Sequence, residues 1–425
     1  MTILTVLGGA SAYTPGLMQA LIAQAGQLPL RAVRLYDTDG GRLDVVARLC
    51  ANLARSAGAP FTVTPAGTLE QALEGAGLVL NSTRPGGLAA RRIDETLPLE
   101  FDIPGQETVG PGGFFYALRS VPEALRVGAA MARLAPGAIL LNYTNPSNIV
   151  TQALADQALV PVIGMCDQSD EDLEALGHAL GAAGTPGFAC NGLNHATWYQ
   201  DVGFGAEPCG ALAPGLATPP GLDEEHQLRF TYALEMARAE GRGWPNSYLP
   251  YYLYPQAFVE QARRVGPRSD VVAASLGRYY AHFAEEAEAA RPQLRFYRGS
   301  AGFGDMAVKV MRALFAAEPL ELVLNLPNRG ATAQFADDTV IEARVRLSKG
   351  GIARTPVPAM PASLVPLMGA LERYQRLSAG AAASAALAPR IAALAANPLV
   401  GDAALAARML ARARTSYGDL IGWEA

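Results

Sequence analysis

The first 165 residues alternate short apolar runs with amphipathic stretches. Residues 3–7 are rich in β-favouring side chains and run into Gly8-Gly9, after which an apolar helical pattern begins near Pro15. Further apolar runs cover 32–36, 77–80, 138–141 and 160–164, with helical stretches before several of them. Strands that alternate with helices in this way are typical of an α/β protein. The pattern predicts a Rossmann-type, doubly wound parallel sheet over residues 1–165.

A different pattern follows residue 165. Helical periodicity covers 170–184, 224–240 and 305–315, and β-type runs cover 322–326 and 340–347. The last third is rich in Ala and Leu, and its periodic stretches at 367–377 and 402–414 predict packing helices. We therefore expect a mixed α+β, helix-rich domain over 166–425 that carries catalysis, substrate binding and oligomer contacts.

Composition narrows the class of protein. The 425 residues include 34 Lys plus Arg against 39 Asp plus Glu, a net charge of -5, which excludes a nucleic-acid binder that works by phosphate neutralisation. Polar residues interrupt every long apolar stretch, so we expect no membrane span. Cys50, Cys166, Cys190 and Cys209 are too few and scattered for a disulfide framework, and the N-terminus lacks a signal-peptide pattern. A cytoplasmic enzyme is the expectation.

The first chemical signal is the turn after the opening strand. Gly8, Gly9, Ala10 and Ser11 connect this strand to a helix, where backbone amides can approach a pyrophosphate. The turn departs from the G-x-G-x-x-G fingerprint, and an ordinary strand-to-helix turn would explain it equally well. Asp37, at the end of the second strand, favours the first interpretation because a carboxylate there binds ribose hydroxyls and repels a 2′-phosphate. NAD is therefore favoured over NADP.

Two further segments have the composition of binding loops. Residues 105–113 form a dense cluster of glycine and polar residues, for which a series of tight turns is the alternative. Residues 142–148 follow an apolar strand, at the sheet edge where ligands bind in such folds. An Asn-Pro turn is the alternative for this second segment.

Metal and aromatic candidates carry weaker signals. Cys166 and His195 make only a two-residue metal pair, with positions left open for a substrate. By themselves, a lone Cys and a lone His more often belong to the core. Tyr248, Tyr251 and Tyr252 are likewise typical of packing aromatics.

Taken in order, these segments resemble glycoside hydrolase family 4, and in particular its 6-phospho-glucosidase branch. The resemblance rests on the glycine turn at Gly8 and on residues 105–113, 142–148, 164–167, 192–195 and 245–252. Residues 326–330 and 397–400 resemble the later signatures of the family, so the match runs nearly end to end.

The resemblance implies an unusual glycosidase that uses NAD and a divalent metal, commonly manganese, in place of paired carboxylates. Its reaction comprises oxidation at C3 of the sugar, deprotonation at C2, elimination at C1, addition of water and re-reduction. The implied substrate is a phosphorylated glycoside, and the implied assembly is a homo-oligomer, dimer or tetramer.

The resemblance also assigns roles to individual residues. Cys166 and His195 correspond to metal ligands, and Tyr248 corresponds to the catalytic base. Glu107 occupies the position that raises the basicity of this tyrosine, and Asp167 matches the proton donor of the α-phosphoglucosidases. The remaining assignments are substrate contacts at Arg91, Asn145 and Arg268, and NAD contacts at Gly8, Gly9, Ala10, Ser11, Asp37 and Asn142.

The most specific prediction concerns the anomeric configuration of the substrate, α or β. The segment after Cys166 departs from the family pattern by adding Asp170, Glu171 and Asp172. Residues 84–88 and 298–301 resemble segments typical of 6-phospho-β-glucosidases, so we predict a 6-phospho-β-glucosidase. The alternatives are a 6-phospho-α-glucosidase, an NAD-dependent dehydrogenase that releases an oxidised product, and a catalytically silent NAD-dependent sugar sensor.

Overall fold

The computed structural model describes residues 1–182, 184–204, 216–295 and 303–424, together with the backbone of Glu207–Pro208. Cys209 and residues 298–301, on which sequence predictions rest, lie outside the described residues. No helix in the described ranges is long and apolar enough to cross a membrane.

Strands and helices alternate through the first part of the chain, as the hydrophobic pattern predicts. Their bounds are β1 (Thr2–Leu7), α1 (Thr14–Ala23), β2 (Leu30–Tyr36), α2 (Gly40–Ser56), β3 (Thr62–Pro65), α3 (Leu69–Leu73), β4 (Leu78–Asn81), α4 (Gly87–Thr96), α5 (Gly110–Leu134), β5 (Ile139–Asn142), α6 (Ser147–Gln157) and β6 (Val162–Gly164). Short 3-10 turns occur at Ala25–Gln27 and Pro98–Phe101.

Helices dominate the remainder. The elements are α7 (Gln168–Leu180), β7 (Pro186–Leu193), β8 (Ala196–Phe204), β9 (Glu207–Pro208), α8 (Glu224–Glu240), β10 (Trp244–Pro245), α9 (Pro250–Leu253), α10 (Pro255–Val265), α11 (Arg268–Ala287), α12 (Phe303–Phe315), β11 (Leu320–Pro327), β12 (Val340–Ser348), β13 (Gly351–Arg354), α13 (Val365–Ala382), α14 (Leu387–Ala395) and α15 (Ala403–Tyr417). Ala362–Leu364 and Gly418–Leu420 are 3-10 turns.

One sheet of nine strands organises the molecule. Its order is β13-β12-β11-β6-β5-β4-β1-β2-β3, and the six strands from β3 to β6 are parallel. The order 3-2-1-4-5-6 confirms the predicted Rossmann-type sheet, which has its switch point between β1 and β4. β11, β12 and β13 extend this sheet in antiparallel fashion beyond β6. The domain boundary at residue 165 stays a prediction, although strands from both sides of it share one sheet.

Two apolar layers cover the faces of this sheet. Leu4 and Val6 of β1 face the layer of α1, α2 and α12, whereas Leu7 faces the layer of α5, α6 and the C-terminal helices. This alternation follows from the period of two along a strand. The central strands β1, β4 and β5 are buried on both faces, so they have the near-continuous apolar runs that made them detectable. The edge strand β3 is mostly exposed and was not predicted.

Helix α5 begins inside the glycine cluster, and packing explains part of that cluster. A Cβ on Gly112 would lie 2.5 Å from the Asp94 carbonyl oxygen and still closer to that of Gln106, and a Cβ on Gly113 would lie 2.7 Å from the Thr108 carbonyl. The loop before α5 therefore folds back against the first turn of the helix, an approach that only glycine permits. The resulting contact fixes Glu107 and Thr108 beside the helix.

The second, smaller sheet is antiparallel and was not predicted from periodicity. β7 and β8 form a hairpin in which Leu193 pairs with Ala196, so Asn194 and His195 are its two turn residues. β10 and β9 complete this sheet by pairing with β8. The hairpin lies beside β12 and places its turn close to the end of β6.

Candidate active site

The turn after β1 lies at the switch point of the sheet. Gly8 has φ +83°, and a Cβ there would lie 2.7 Å from the carbonyl oxygen of Ser82, which follows β4. The amides of Gly8 and Gly9 both donate to Tyr36 O, at 3.0 and 2.9 Å. The amide of Ser11 donates to Gly8 O at 3.0 Å. The absence of side chains at Gly8 and Gly9 would let a ligand approach the turn closely. The three amides, however, already donate to carbonyl groups of the protein.

Asp37 lies beside the same turn, as predicted for a ribose ligand. Its Oδ2 accepts a hydrogen bond from the Ala10 amide at 3.1 Å, and its Oδ1 accepts one from the Asp39 amide at 3.0 Å. These bonds hold the carboxylate at the carboxyl end of β2, next to the switch point. The position suits hydrogen bonds from ribose hydroxyls.

Asn142 and Asn145 follow β5 at the same edge. The Asn142 amide group donates to Thr144 O at 3.1 Å and Thr151 Oγ1 at 3.2 Å, and its oxygen accepts from Asn81 at 3.1 Å. This fully buried side chain thus orders the loop. Asn145 is partly exposed, and its Oδ1 accepts from the Ser147 amide at 3.2 Å.

Cys166 and His195 come together although they are distant in sequence. Cys166 follows β6, His195 lies in the β7–β8 turn, and their Sγ and Nε2 atoms are 3.5 Å apart. His195 Nδ1 is 3.1 Å from Thr108 Oγ1, a contact that leaves Nε2 directed toward the thiol. His195 also has φ +64°, a left-handed conformation that is uncommon for a residue other than glycine and typical of functional turns.

This pair has the chemistry of a metal site. Burial, and then the charge of Arg229, lower the pKa of His195 to about 3, so the imidazole is neutral as a ligand must be. Burial, followed by the charges of Asp167 and Glu342, raises the pKa of the Cys166 thiol, so a cation would be needed to hold the thiolate. The described residues contain no group of three or more metal-ligating side chains. The pair fits a metal whose remaining positions take oxygen atoms of a substrate.

The ring of Tyr248 stacks directly on His195. The ring centroids are 4.2 Å apart with an interplanar angle of 22°, and the Arg229 guanidinium carbon lies 3.8 Å from the Tyr248 centroid. Two groups so close to one centroid have no room on the same face, so they occupy opposite faces. Burial raises the pKa of Tyr248 to about 12, Arg229 opposes the rise, and nearby carboxylates including Glu107 add to it.

Glu107 is buried between two arginines. It forms ion pairs with Arg84 and, at 3.0 Å, with Arg91. Arg91 also donates to Glu95 at 2.7 Å. Burial favours the protonated form of Glu107, but the two arginines outweigh it and hold the pKa of this carboxyl below its usual value. Glu107 therefore contributes a fixed negative charge near Tyr248.

Asp167 is the N-cap residue of α7, immediately after Cys166. Burial, and then the nearby Asp170, raise its pKa, while a backbone hydrogen bond opposes the rise. Glu171, one turn further along α7, is exposed to solvent and lines a cavity together with Arg229 and Ser247. Burial, and then the charge of Asp167, raise the pKa of Glu171 to about 7. A raised carboxyl pKa is the property that a proton donor needs.

Arg268 is the first residue of α11. Its side chain is 43% exposed and lies 3.7 Å from Glu225 and 3.8 Å from Asp223. Its charge also lowers the pKa values of Glu107 and Glu171. Arg268 is therefore the most accessible of the predicted substrate-binding cations, because Arg91 is almost fully buried.

Sequence reasoning missed several residues of this site. Thr108 adjoins Glu107, so the glycine cluster contained a signal for it. Arg229 reads as an ordinary charge on a helix, and nothing in the sequence distinguishes it. Glu342 is a charged residue in an apolar run that becomes a buried strand, which is a detectable anomaly.

Comparison with known proteins identifies the family. Residues 3–179 match the model described as family 4 glycosyl hydrolase, and residues 190–400 match the model of the family 4 glycosyl hydrolase C-terminal domain. The chain belongs to family 4 of the glycosyl hydrolases. The predicted family and the prediction of a glycosidase are thereby confirmed.

Relatives in family 4 cover most of the chain. A 6-phospho-beta-glucosidase of Escherichia coli is 27% identical over 97% of this chain and 95% of its own. A 6-phospho-alpha-glucosidase of Lacticaseibacillus paracasei is 29% identical over 82% of both chains. The crystal structure of a 6-phospho-alpha-glucosidase from gut microorganisms, in complex with NAD and Mn²⁺, superposes with a TM-score of 0.89 at 23% identity and covers both chains completely. This last similarity concerns the fold.

Proposed function

We propose that this family 4 enzyme hydrolyses 6-phospho-β-glucosides to glucose 6-phosphate and an aglycone, with NAD and a divalent cation such as Mn²⁺. The observation that carries the proposal is the stack of Tyr248 on His195, which in turn meets Cys166 at 3.5 Å. A candidate proton acceptor thus contacts one member of a candidate metal pair, and the carboxyl of Asp167 directly follows the other member in the chain. The names of the full-length relatives support a phosphorylated glucoside.

The two cofactors have separate places in this arrangement. NAD would lie at the β1–β4 switch point against Gly8 and Asp37, and when bound it supplies reversible hydride transfer at C3 of the sugar. The cation would be held by Cys166 and His195, and it would supply Lewis acidity to oxygen atoms of the bound sugar.

The residues of the chain perform the proton transfers. A ketone at C3 acidifies the C2 proton, and Tyr248 removes it. Asp167 donates a proton to the glycosidic oxygen as the C1–O bond breaks, so the aglycone leaves as a neutral alcohol. Water then adds at C1 and a proton returns to C2. Bound NAD would have taken one hydride from C3 and would return the same hydride, so the reaction has no net oxidation. Arg268, Arg91 and Asn145 bind the anionic sugar and fix its orientation.

The α-anomer is the second candidate. Asp167 supports it, because this residue matches the proton donor of the α-phosphoglucosidases and adjoins Cys166. Both anomers share the C3 and C2 chemistry, so they differ only in the direction from which Asp167 must reach the leaving oxygen. A direct comparison of substrates therefore decides the anomer without affecting the rest of the mechanism.

The decisive assay uses p-nitrophenyl 6-phospho-β-glucoside and its α-anomer, with NAD, Mn²⁺ and a thiol reductant. We expect nitrophenol release from the β-substrate without accumulation of NADH, loss of activity with a chelator, and recovery when Mn²⁺ is restored. Accumulating NADH would indicate the dehydrogenase, and binding without turnover would indicate the sensor. Faster release from the α-substrate would reverse the anomer assignment.

Assembly and location complete the proposal. We infer a homo-oligomer, dimer or tetramer, which is supported by the exposed apolar side chains of Leu253, Val265 and Val271 on the neighbouring helices α9 to α11. Light scattering after gel filtration measures the subunit count. The free thiols of Cys50, Cys166 and Cys190 support a reducing, cytoplasmic location.

A further inference from the structure

Glu342 is a buried carboxylate on β12, and no role was assigned to it above. Its exposed fraction is only 1%, in a strand with apolar neighbours Ile341 and Ala343. Burying a charged side chain costs several kcal/mol unless hydrogen bonds compensate for the lost water. A strand that needed only to pack would place an apolar residue at this position.

Hydrogen bonds from four donors compensate this carboxylate for the water that it loses on burial. Oε2 accepts from Asn194 Nδ2 at 2.6 Å and Asn325 Nδ2 at 3.3 Å. Oε1 accepts from the hydroxyls of Thr197 at 2.8 Å and Ser169 at 3.3 Å. All four partners are neutral, and together they use both oxygen atoms.

The four donors surround the metal pair in the sequence and in space. Asn194 and Thr197 flank His195 in the β7–β8 hairpin, so two of the bonds fix its turn. Ser169 lies in the first turn of α7, just after Cys166, and Asn325 pairs with Gly164, just before Cys166. One side chain thus connects every segment that carries a ligand.

Asn194 connects Glu342 to the thiol of Cys166. The Asn194 side chain lies beside Cys166, where its amide group lowers the pKa of the thiol and so opposes the effect of burial. An amide group has two N–H bonds, so the one held by Glu342 orients the other. The same carboxylate therefore orients a partner of Cys166 and the turn of His195.

We propose that Glu342 is a positioning residue for the metal, which holds Cys166 and His195 at bonding separation through Asn194, Thr197, Ser169 and Asn325. The proposal rests on the proposed function, because it takes this pair to be the ligand set. Residues that hydrogen-bond and orient metal ligands typically contribute about 10–100-fold to metal affinity. Glu342→Gln keeps the shape of the side chain but replaces one acceptor oxygen with a donor, so two of the four bonds are lost.

The test measures Mn²⁺ binding directly, by the loss of the free-ion electron paramagnetic resonance signal on titration. Glu342→Gln should weaken Mn²⁺ binding about 10–100-fold and leave NAD affinity unchanged. In the Co²⁺-loaded protein, it should also weaken the sulfur-to-metal charge-transfer band that reports the Cys166 bond. The matched control is Glu286→Gln, a buried carboxylate on α11 that accepts from the Gln293 amide at 2.7 Å. This control should keep wild-type Mn²⁺ affinity.

Each outcome decides the proposal. Wild-type Mn²⁺ affinity in folded Glu342→Gln, or an equal loss in Glu286→Gln, overturns the role of Glu342. If Glu342→Gln does not fold, Thr197→Val decides instead, since it removes one bond beside His195 and should weaken Mn²⁺ binding several-fold. Cys166→Ser is measured in parallel. If it binds Mn²⁺ like the wild type, the ligand assignment of the proposed function fails, and the proposal for Glu342 fails with it.

Discussion

Tyr248 owes its environment to contacts that form only on folding. The ring lies between the neutral imidazole of His195 and the guanidinium of Arg229, at 4.2 and 3.8 Å. Its hydroxyl is the only part of the ring that differs from phenylalanine, and both stacking partners contact the ring itself. Removing the hydroxyl therefore separates proton transfer from packing.

We expect Tyr248→Phe to lower kcat by about 10²–10⁴, the usual loss when a positioned general base is removed. Folding and NAD binding should be preserved, because both stacking contacts remain. Steady-state kinetics with the preferred p-nitrophenyl substrate and a titration with NAD measure the two effects. Tyr251→Phe is the matched control: it loses the hydrogen bond to Glu225 at 2.8 Å and should chiefly affect stability.

Turnover in D₂O checks the same step independently. The proton that leaves C2 exchanges with solvent before it returns, so the glucose 6-phosphate should contain deuterium at C2. Mass spectrometry or NMR detects it. Product without deuterium at C2 would remove the role proposed for Tyr248.

At this scale, the sequence predicted ligand and base candidates but not their supports. Cys166, His195 and Tyr248 were assigned through a resemblance, and their proximity agrees with that assignment. Their individual roles stay predictions. Local patterns marked Thr108, through the glycine cluster, and Glu342, as a charge in an apolar run, but they contained no information about the remote residues that these two and Arg229 contact.

At the scale of secondary-structure elements, the close packing at the start of α5 also positions residues of the candidate active site. Gly112 faces the carbonyl oxygens of Asp94 and Gln106, neither of which can move without shifting the loop that holds Glu107 and Thr108. Gly128 lies in the same helix, but its Cβ would meet only the flexible ends of Leu154 and Leu159, each at 3.4 Å. Position 112 therefore requires glycine, whereas position 128 has room for a methyl group.

We expect Gly112→Ala to lower the free energy of unfolding by about 1–3 kcal/mol or more, through overpacking. Gly128→Ala should be neutral or raise it by up to about 1 kcal/mol, because alanine favours the helix. Urea unfolding at a constant m-value measures both. Equal effects of the two substitutions would show that the close approach at Gly112 carries no energetic weight.

Periodicity predicted elements where burial is regular. The central strands β1, β4 and β5 are buried on both faces, which made them detectable as apolar runs, whereas the mostly exposed edge strand β3 was missed. Glu224–Glu240 was predicted with its observed bounds. The β7–β8 hairpin was missed because its buried positions do not alternate, and because a two-residue Asn-His turn lacks the usual glycine signal. Its fold depends on pairing with distant parts of the chain.

Across the whole molecule, a buried ion pair ties the C-terminal helix to the N-terminal half. The Arg119 guanidinium contacts both carboxylate oxygens of Asp94, at 2.9 and 2.7 Å, and the Tyr417 hydroxyl donates to the same carboxylate at 2.6 Å. The Asp94 and Arg119 side chains are 0% and 1% exposed. The pair therefore joins α4, α5 and α15 in a place that water does not reach.

Arg119→Met should lower the free energy of unfolding by about 3–5 kcal/mol, because it leaves the buried Asp94 charge without its cationic partner. Tyr417→Phe should cost about 1.5–3 kcal/mol through loss of one bond to a charged group. Arg126→Ala, which breaks an exposed pair with Glu123, should cost less than about 1 kcal/mol. Chemical denaturation measures all three. If Arg119→Met lowered the free energy of unfolding as little as Arg126→Ala does, the buried ion pair would not stabilise the contact between α4, α5 and α15.

The attachment of β11 to β6 also has a consequence in time. Asn325 pairs with Gly164 but is synthesised about 160 residues later, which takes the ribosome roughly 8–30 s at ~5–20 residues per second. Until then, β6 ends the growing sheet, paired with β5 on one side and with the backbone donors and acceptors of its other side unpaired. For that interval the nascent chain presents an open strand edge of the kind from which intermolecular pairing begins.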